Sequence, residues 1–99
     1  GATVTVASAT GVAINIAVTL TLAAGYTAEQ VTGYIEANII EYLKDIAFVE
    51  TYVSYARIGS TILDTEGVLD YSGLTVNGGT ANIAIADTEV AVLGAVTIT

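Results

Sequence analysis

A two-layer α/β fold of the α+β type, a mostly antiparallel sheet with two helices on one face, is predicted by three features of this 99-residue sequence. Strict apolar alternation over Val12–Leu22 marks a long strand, and an apolar stripe at spacings of three and four over residues 31–46 marks a helix. An Asn-Gly-Gly triplet between two β-rich runs marks a hairpin turn. A chain of this length holds one core, so residues 1–99 are expected to form a single domain. It begins Gly1-Ala2-Thr3 and holds no methionine, which reads as an excised piece of a longer protein.

Taken in order, Thr3 to Val6 alternates briefly, and Ser8 to Gly11 supplies small turn formers that would pair it as a hairpin with the next segment. In that segment Val12, Ile14, Ile16, Val18, Leu20 and Leu22 are apolar, with Ala13, Asn15, Ala17, Thr19 and Thr21 between them. Every even position fits a half-buried strand, and this is the expected central strand. The uncharged run Gly1 to Ala28 could suggest a membrane span. Its period of two, with polar residues at odd positions, reads instead as a strand of a soluble chain.

Thr27-Ala-Glu-Gln follows Gly25-Tyr26 and has the form of a capping box, with Thr27 and Gln30 satisfying each other's free backbone donors. Val31, Ile35, Ile39, Tyr42 and Ile46 then make one stripe on a helix ending near Ala47. Glu36 and Lys44 lie opposite, and Ile40 between them is either a stray exposed residue or a contact with a neighbour. A shorter helix is expected from about Ser54 to Asp64, facing inward through Tyr55, Ile58 and Ile62 and stopped by Gly67. Val68 to Val76 reads as a strand bent near Ser72-Gly73. Asn77-Gly78-Gly79 should turn it back into a partner strand over Asn82 to Ala86, and Ala95 to Thr99 would add a last one.

Composition excludes several functions. Cysteine and histidine are absent, which removes disulfides, zinc thiolate sites, thiol nucleophiles and the commonest general base. Ten acidic residues against two basic ones give a net charge of −8. Lys44 and Arg57 cannot displace counterions along a phosphate backbone or bind anionic lipid, so neither nucleic acid nor membrane is an expected partner. Eight of the acids fall between Glu29 and Asp70, on the helical middle. The predicted strands carry almost no charge and the chain has no proline, so their edges and Thr-rich outer face should be covered by the helices or by other protein.

The candidate chemical groups each have a plainer reading. Asp64, Glu66 and Asp70 faintly suggest a calcium loop, but the ligand spacing is incomplete and a solvated helix end fits better. Asp87 and Glu89 could pair as glycosidase carboxylates, yet nothing would raise the pKa of one and no sugar-stacking tryptophan exists. Gly78-Gly79 precedes no helix start, so it is a turn and not a phosphate cradle. Tyr26, Tyr34, Tyr42, Tyr52, Tyr55 and Tyr71 fit helix packing and core edges better than a ligand site.

The stretch Ala56-Arg57-Ile58-Gly59-Ser60-Thr61-Ile62-Leu63, with Glu66-Gly67-Val68-Leu69-Asp70 after it, is similar to the C-terminal region of baseplate J-like proteins. So are Leu74-Thr75-Val76-Asn77-Gly78-Gly79-Thr80-Ala81-Asn82-Ile83 and Glu89-Val90-Ala91-Val92-Leu93-Gly94, although Ala91 stands where the family often has proline. The Thr/Val-rich strand and acidic helix of the front half also look like the family. The resemblance implies a structural part of the wedge ring of a phage, prophage or bacteriocin contractile tail, assembled in the host cytoplasm and located in the virion tail. It implies other baseplate proteins and copies of the parent chain as partners, with no small-molecule substrate. It carries over no catalytic, cofactor-binding or metal-binding residues, so no enzyme activity and no cofactor are expected. The alternative is a carbohydrate- or receptor-binding module of a surface or tail protein, which exposed tyrosines round a concavity would mark.

Overall fold

The computed structural model describes residues 10–47 and 49–99. The expected short strand over Thr3 to Val6 and the first half of the Ser8–Gly11 turn lie outside them. Thr10 and Gly11 are not in a turn but open β1 (Thr10–Leu22). Its even side chains face the core: Ile14, Ile16 and Val18 are buried, and Val12, Leu20 and Leu22 pack partly against them. β1 is the middle strand of three, as its alternation predicts.

Helix α1 (Ala28–Ile46) starts on the expected capping box. The Thr27 hydroxyl accepts from the Gln30 backbone N–H at 3.2 Å, and the Gln30 side chain accepts from the Thr27 backbone N–H at 3.1 Å. Its fully buried row is Val31, Ile35, Ile39 and Leu43, so Leu43 takes the place expected for Tyr42. Steps of four keep that row facing the sheet, while a phenol needs a polar partner. Tyr42 therefore flanks the row, and its hydroxyl oxygen accepts from the Ser54 backbone N–H at 3.0 Å.

After β2 (Tyr52–Val53), helix α2 (Tyr55–Leu63) is capped by Ser54, whose side chain accepts from the Arg57 N–H. Ile58 and Ile62 are fully buried, and the Tyr55 hydroxyl donates to the Leu74 carbonyl at 2.6 Å. Gly67 then turns the chain with φ +90°, where a side chain would meet the ring of Tyr26 and the γ-methyl of Val31. β3 (Val68–Val76) pairs antiparallel with β1, and a register shift falls between its Ser72 and Thr75, where the bend was expected.

Two connections differ from expectation. Asn77 and Gly78 both adopt positive φ, and Val76 and Gly79 exchange backbone hydrogen bonds, so the predicted tight turn forms. The chain does not run back along β3, however. β4 (Ile83–Ala84) pairs antiparallel with β2, while the Asn82 side chain accepts from the Tyr55 N–H at 2.9 Å. That amide is at the start of α2 and has no partner within its helix, so serving it draws the segment away from β3. The last strand, β5 (Glu89–Ile98), is longer than Ala95 to Thr99 and runs parallel to β1. The main sheet is thus β3-β1-β5, with β2-β4 a separate small ribbon. Both helices lie on its inner side, α1 against β5 and α2 against β3.

Candidate interaction surface

The helices cover one face of the sheet, and among the described residues nothing covers the other. Residues directly opposite in a ladder share a face, so the register assigns the outer one. Across β1 and β3 it holds Ala17 with Thr75, Thr19 with Ser72 and Thr21 with Asp70. Across β1 and β5 it holds Gly11 with Val90, Ala13 with Val92 and Ala17 with Thr97. Among these positions Asp70, at the sheet's end, is the one charged side chain. Uncharged groups lose less hydration than charged ones when covered, so a partner that meets these hydroxyls with hydrogen bonds can bury this face at lower desolvation cost than a charged one.

An internal clasp bridges an irregularity in this face. Asn15 breaks the ladder to β5, where Ile14 opposes Leu93 and Ile16 opposes Val96. The Asn15 side-chain oxygen fills that bulge by accepting from the Ala95 N–H at 2.9 Å, directly over Gly94, where any side chain would collide with it. On the other side the Asn15 N–H donates to the Asn77 side-chain oxygen at 2.7 Å, and the Asn77 side-chain nitrogen donates to the Ala13 carbonyl at 3.1 Å. One turn residue and one strand residue thus join all three strands. The sequence shows Asn15 only as a polar member of an alternating strand. Its facing Gly94 is a signal only once the register is known. At the far end, the Thr19 and Thr99 hydroxyls lie 2.8 Å apart and close the face with a hydrogen bond.

The chemically suggestive residues are placed apart. Asp64 is the C-cap of α2, and the Asp70 carboxylate accepts from the Tyr71 N–H. Glu66 accepts from the Tyr26 hydroxyl at 2.6 Å. That bond, with the adjacent carboxylate charge, raises the Tyr26 pKa above its ordinary value by holding the proton on the phenol. Among the described residues no three acidic groups stand together as a metal cluster. Asp87 lies in the loop before β5, and Glu89 accepts from the Ala86 N–H at 2.8 Å, so the pair shares no strand face. Gly78 and Gly79 belong to the turn. Tyr42 and Tyr52 border a cleft between the helices with Asp45, Glu50, Arg57 and Asp64, but the other four tyrosines lie elsewhere. No described helix is long and apolar enough to cross a membrane.

A family model described as the baseplate J-like protein C-terminal domain matches residues 14–99. The chain belongs to that family. It is 29% identical over 98 residues to "Phage-like element PBSX protein XkdT" of Bacillus subtilis (strain 168), covering 99% of this chain and 28% of that protein. It matches "Uncharacterized protein YqbT" of the same organism at 29% identity, with the same coverage of both chains. The chain therefore spans about 28% of the length of the curated relatives it matches. The family expected from residues 56–94 is the one found, and membership supports a structural role in a phage tail baseplate.

The residues that carry the resemblance have physical tasks in this baseplate J-like domain. Ile58 and Ile62 fill the core, and Gly67 makes the left-handed turn into β3. Asn77 forms the clasp with Asn15, Glu89 ties the turn before β5, and Gly94 leaves room for the Asn15 amide.

Proposed function

We propose that the chain is a non-catalytic assembly domain, the C-terminal part of a longer protein of a contractile-tail baseplate wedge. It docks through the outer face of β3-β1-β5 onto other baseplate proteins or copies of its parent. The observation that carries this reading is the contrast between the two sides: a sheet face of mostly Ala, Thr, Ser and Val, and a helical side that carries Glu29, Glu36, Glu41, Asp45 and Asp64. The acidic side keeps free subunits apart and solvated, and the uncharged side is the one whose burial costs least. Stable interfaces bury roughly 800 Å² per partner, and we take the three-stranded face of one small domain to offer less, so the isolated chain should self-associate weakly at most. Its docking gains strength in the parent, where other contacts add.

The test is Thr19→Lys with Thr21→Lys in the full-length parent protein. Both residues are exposed in the free chain, so the domain should remain folded while the yield of assembled tails falls sharply. Normal yield with a folded domain would show that this face is not the contact.

A further inference from the structure

The two edges of the main sheet are unequal. β3 carries Asp70 and an irregular register, both of which discourage further pairing. β5 carries no charge from Val90 to Ile98, contains no proline, and among the described residues pairs with β1 alone. Its regular part, Glu89–Leu93, ends where the Asn15 bulge begins. Along it runs an apolar groove, with Ile40, Leu43 and Ala47 of α1 on one side and Val90–Leu93 on the other. Ile40 and Val92 are 45% and 44% exposed. A helix or a small apolar ligand would cover these side chains but leave the strand's row of N–H and C=O groups unpaired. An extended chain satisfies both.

Charge narrows the occupant further. Lys44 stands at the middle of the groove, and Glu50 and Glu89 stand at the end where β5 begins. We infer that the β5 edge is a strand-acceptor site. It receives an extended segment of another polypeptide alongside Glu89–Leu93, with a Lys or Arg at the end nearest Glu50 and Glu89 and no basic residue opposite Lys44. Alternate side chains of that segment fall inward onto Ile40 and Ala47 and outward beside Val90 and Val92, so β-branched residues suit both positions. This site shares Val90 and Val92 with the outer face but uses the β5 backbone edge and the α1 side of the groove, so it and the Thr19–Thr21 part of that face can fail as docking sites independently.

The probe is a pair of fluorescein-labelled synthetic peptides of alternating Val and Thr, one with lysine at its first position and one at its last, titrated into the 99-residue chain. One of them should bind saturably with a Kd of about 0.01–1 mM, the strength of a single short strand on one edge. Amide NMR shifts should be confined to β5 and the Ile40–Ala47 side of α1. N-methylation of the peptide at alternate residues should abolish binding, because it removes strand donors without removing apolar surface. Ile40→Lys, at an exposed position that leaves the core intact, should weaken binding at least roughly tenfold, whereas Thr21→Lys should leave it unchanged. Equal binding of the N-methylated peptide, shifts mapped to another surface, or no binding by either peptide at about 1 mM would overturn the proposal.

Discussion

The two faces of β1 are built to different specifications. Inward, Ile14, Ile16 and Val18 are at most 2% exposed and interlock with α1, α2 and β3. Outward, Ala13, Thr19 and Thr21 are exposed among the described residues. The inner face is specified by volume, since a close-packed core registers the loss of a methylene. The outer face of β1 is specified by small uncharged side chains, Ala, Asn and Thr, in place of charge and bulk. One strand therefore encodes the fold in its even positions and readiness for a partner in its odd ones.

The sharpest way to break that comparison is to truncate one residue on each face. Ile16→Ala should destabilise the chain by about 2–5 kcal/mol, the usual cost of emptying a fully buried aliphatic site. Thr21→Ala should stay within about 0.5 kcal/mol. Denaturant midpoints measure both, and comparable losses would show that the outer face is not a free surface in the isolated chain.

Asn15 sharpens the contrast, because it points outward yet is committed to the fold. Asn15→Ala leaves the Ala95 N–H without its partner and should cost about 1–2 kcal/mol, with faster hydrogen exchange at Ala95. A neutral result would make the bulge an incidental feature. On the helical side, Thr27→Ala removes one half of the capping box and should cost about 1 kcal/mol, seen as fraying of the first turn of α1.

The smallest expected effect concerns Tyr26. Its raised pKa means that the folded chain holds this proton more tightly than the unfolded one. The contribution to stability is therefore present below the ordinary tyrosine pKa of about 10 and fades as pH rises through the higher folded value. Glu66→Gln should lower the Tyr26 titration towards the ordinary value, followed by NMR of its ring. The change in stability at neutral pH should be slight, because the pair is solvent-exposed.

Local patterns made most of the fold legible. Period-two alternation located β1 and its buried parity, and the Thr27–Gln30 box fixed the start of α1. The Ser72-Gly73 bend and the Asn77-Gly78 turn were each visible in a few residues. What stayed hidden depended on distant partners. That Asn82 would serve the first amide of α2, and so divert Ile83–Ala84 to β2, cannot be read from either segment alone. The parallel pairing of β5 with β1 needs a crossover through the whole intervening chain, which no local pattern records. The outer face was legible as a Thr-rich parity of β1, but its extension over β3 and β5 depended on register. The clasp between Asn15 and Asn77, 62 positions apart in sequence, depended on it too.

The central claim, that the outer sheet face is buried in the assembled particle while the acidic side stays solvated, can be tested with single cysteines. The chain has none of its own, so Thr19→Cys on the outer face and Glu41→Cys on the exposed side of α1 each give one labelling site. Maleimide reaction rates are measured in the free chain and in purified tails built from the full-length protein. The account predicts that both cysteines react readily in the free chain, and that in tails Thr19→Cys loses most of its reactivity while Glu41→Cys keeps its own. Undiminished labelling of Thr19→Cys in intact tails would contradict it.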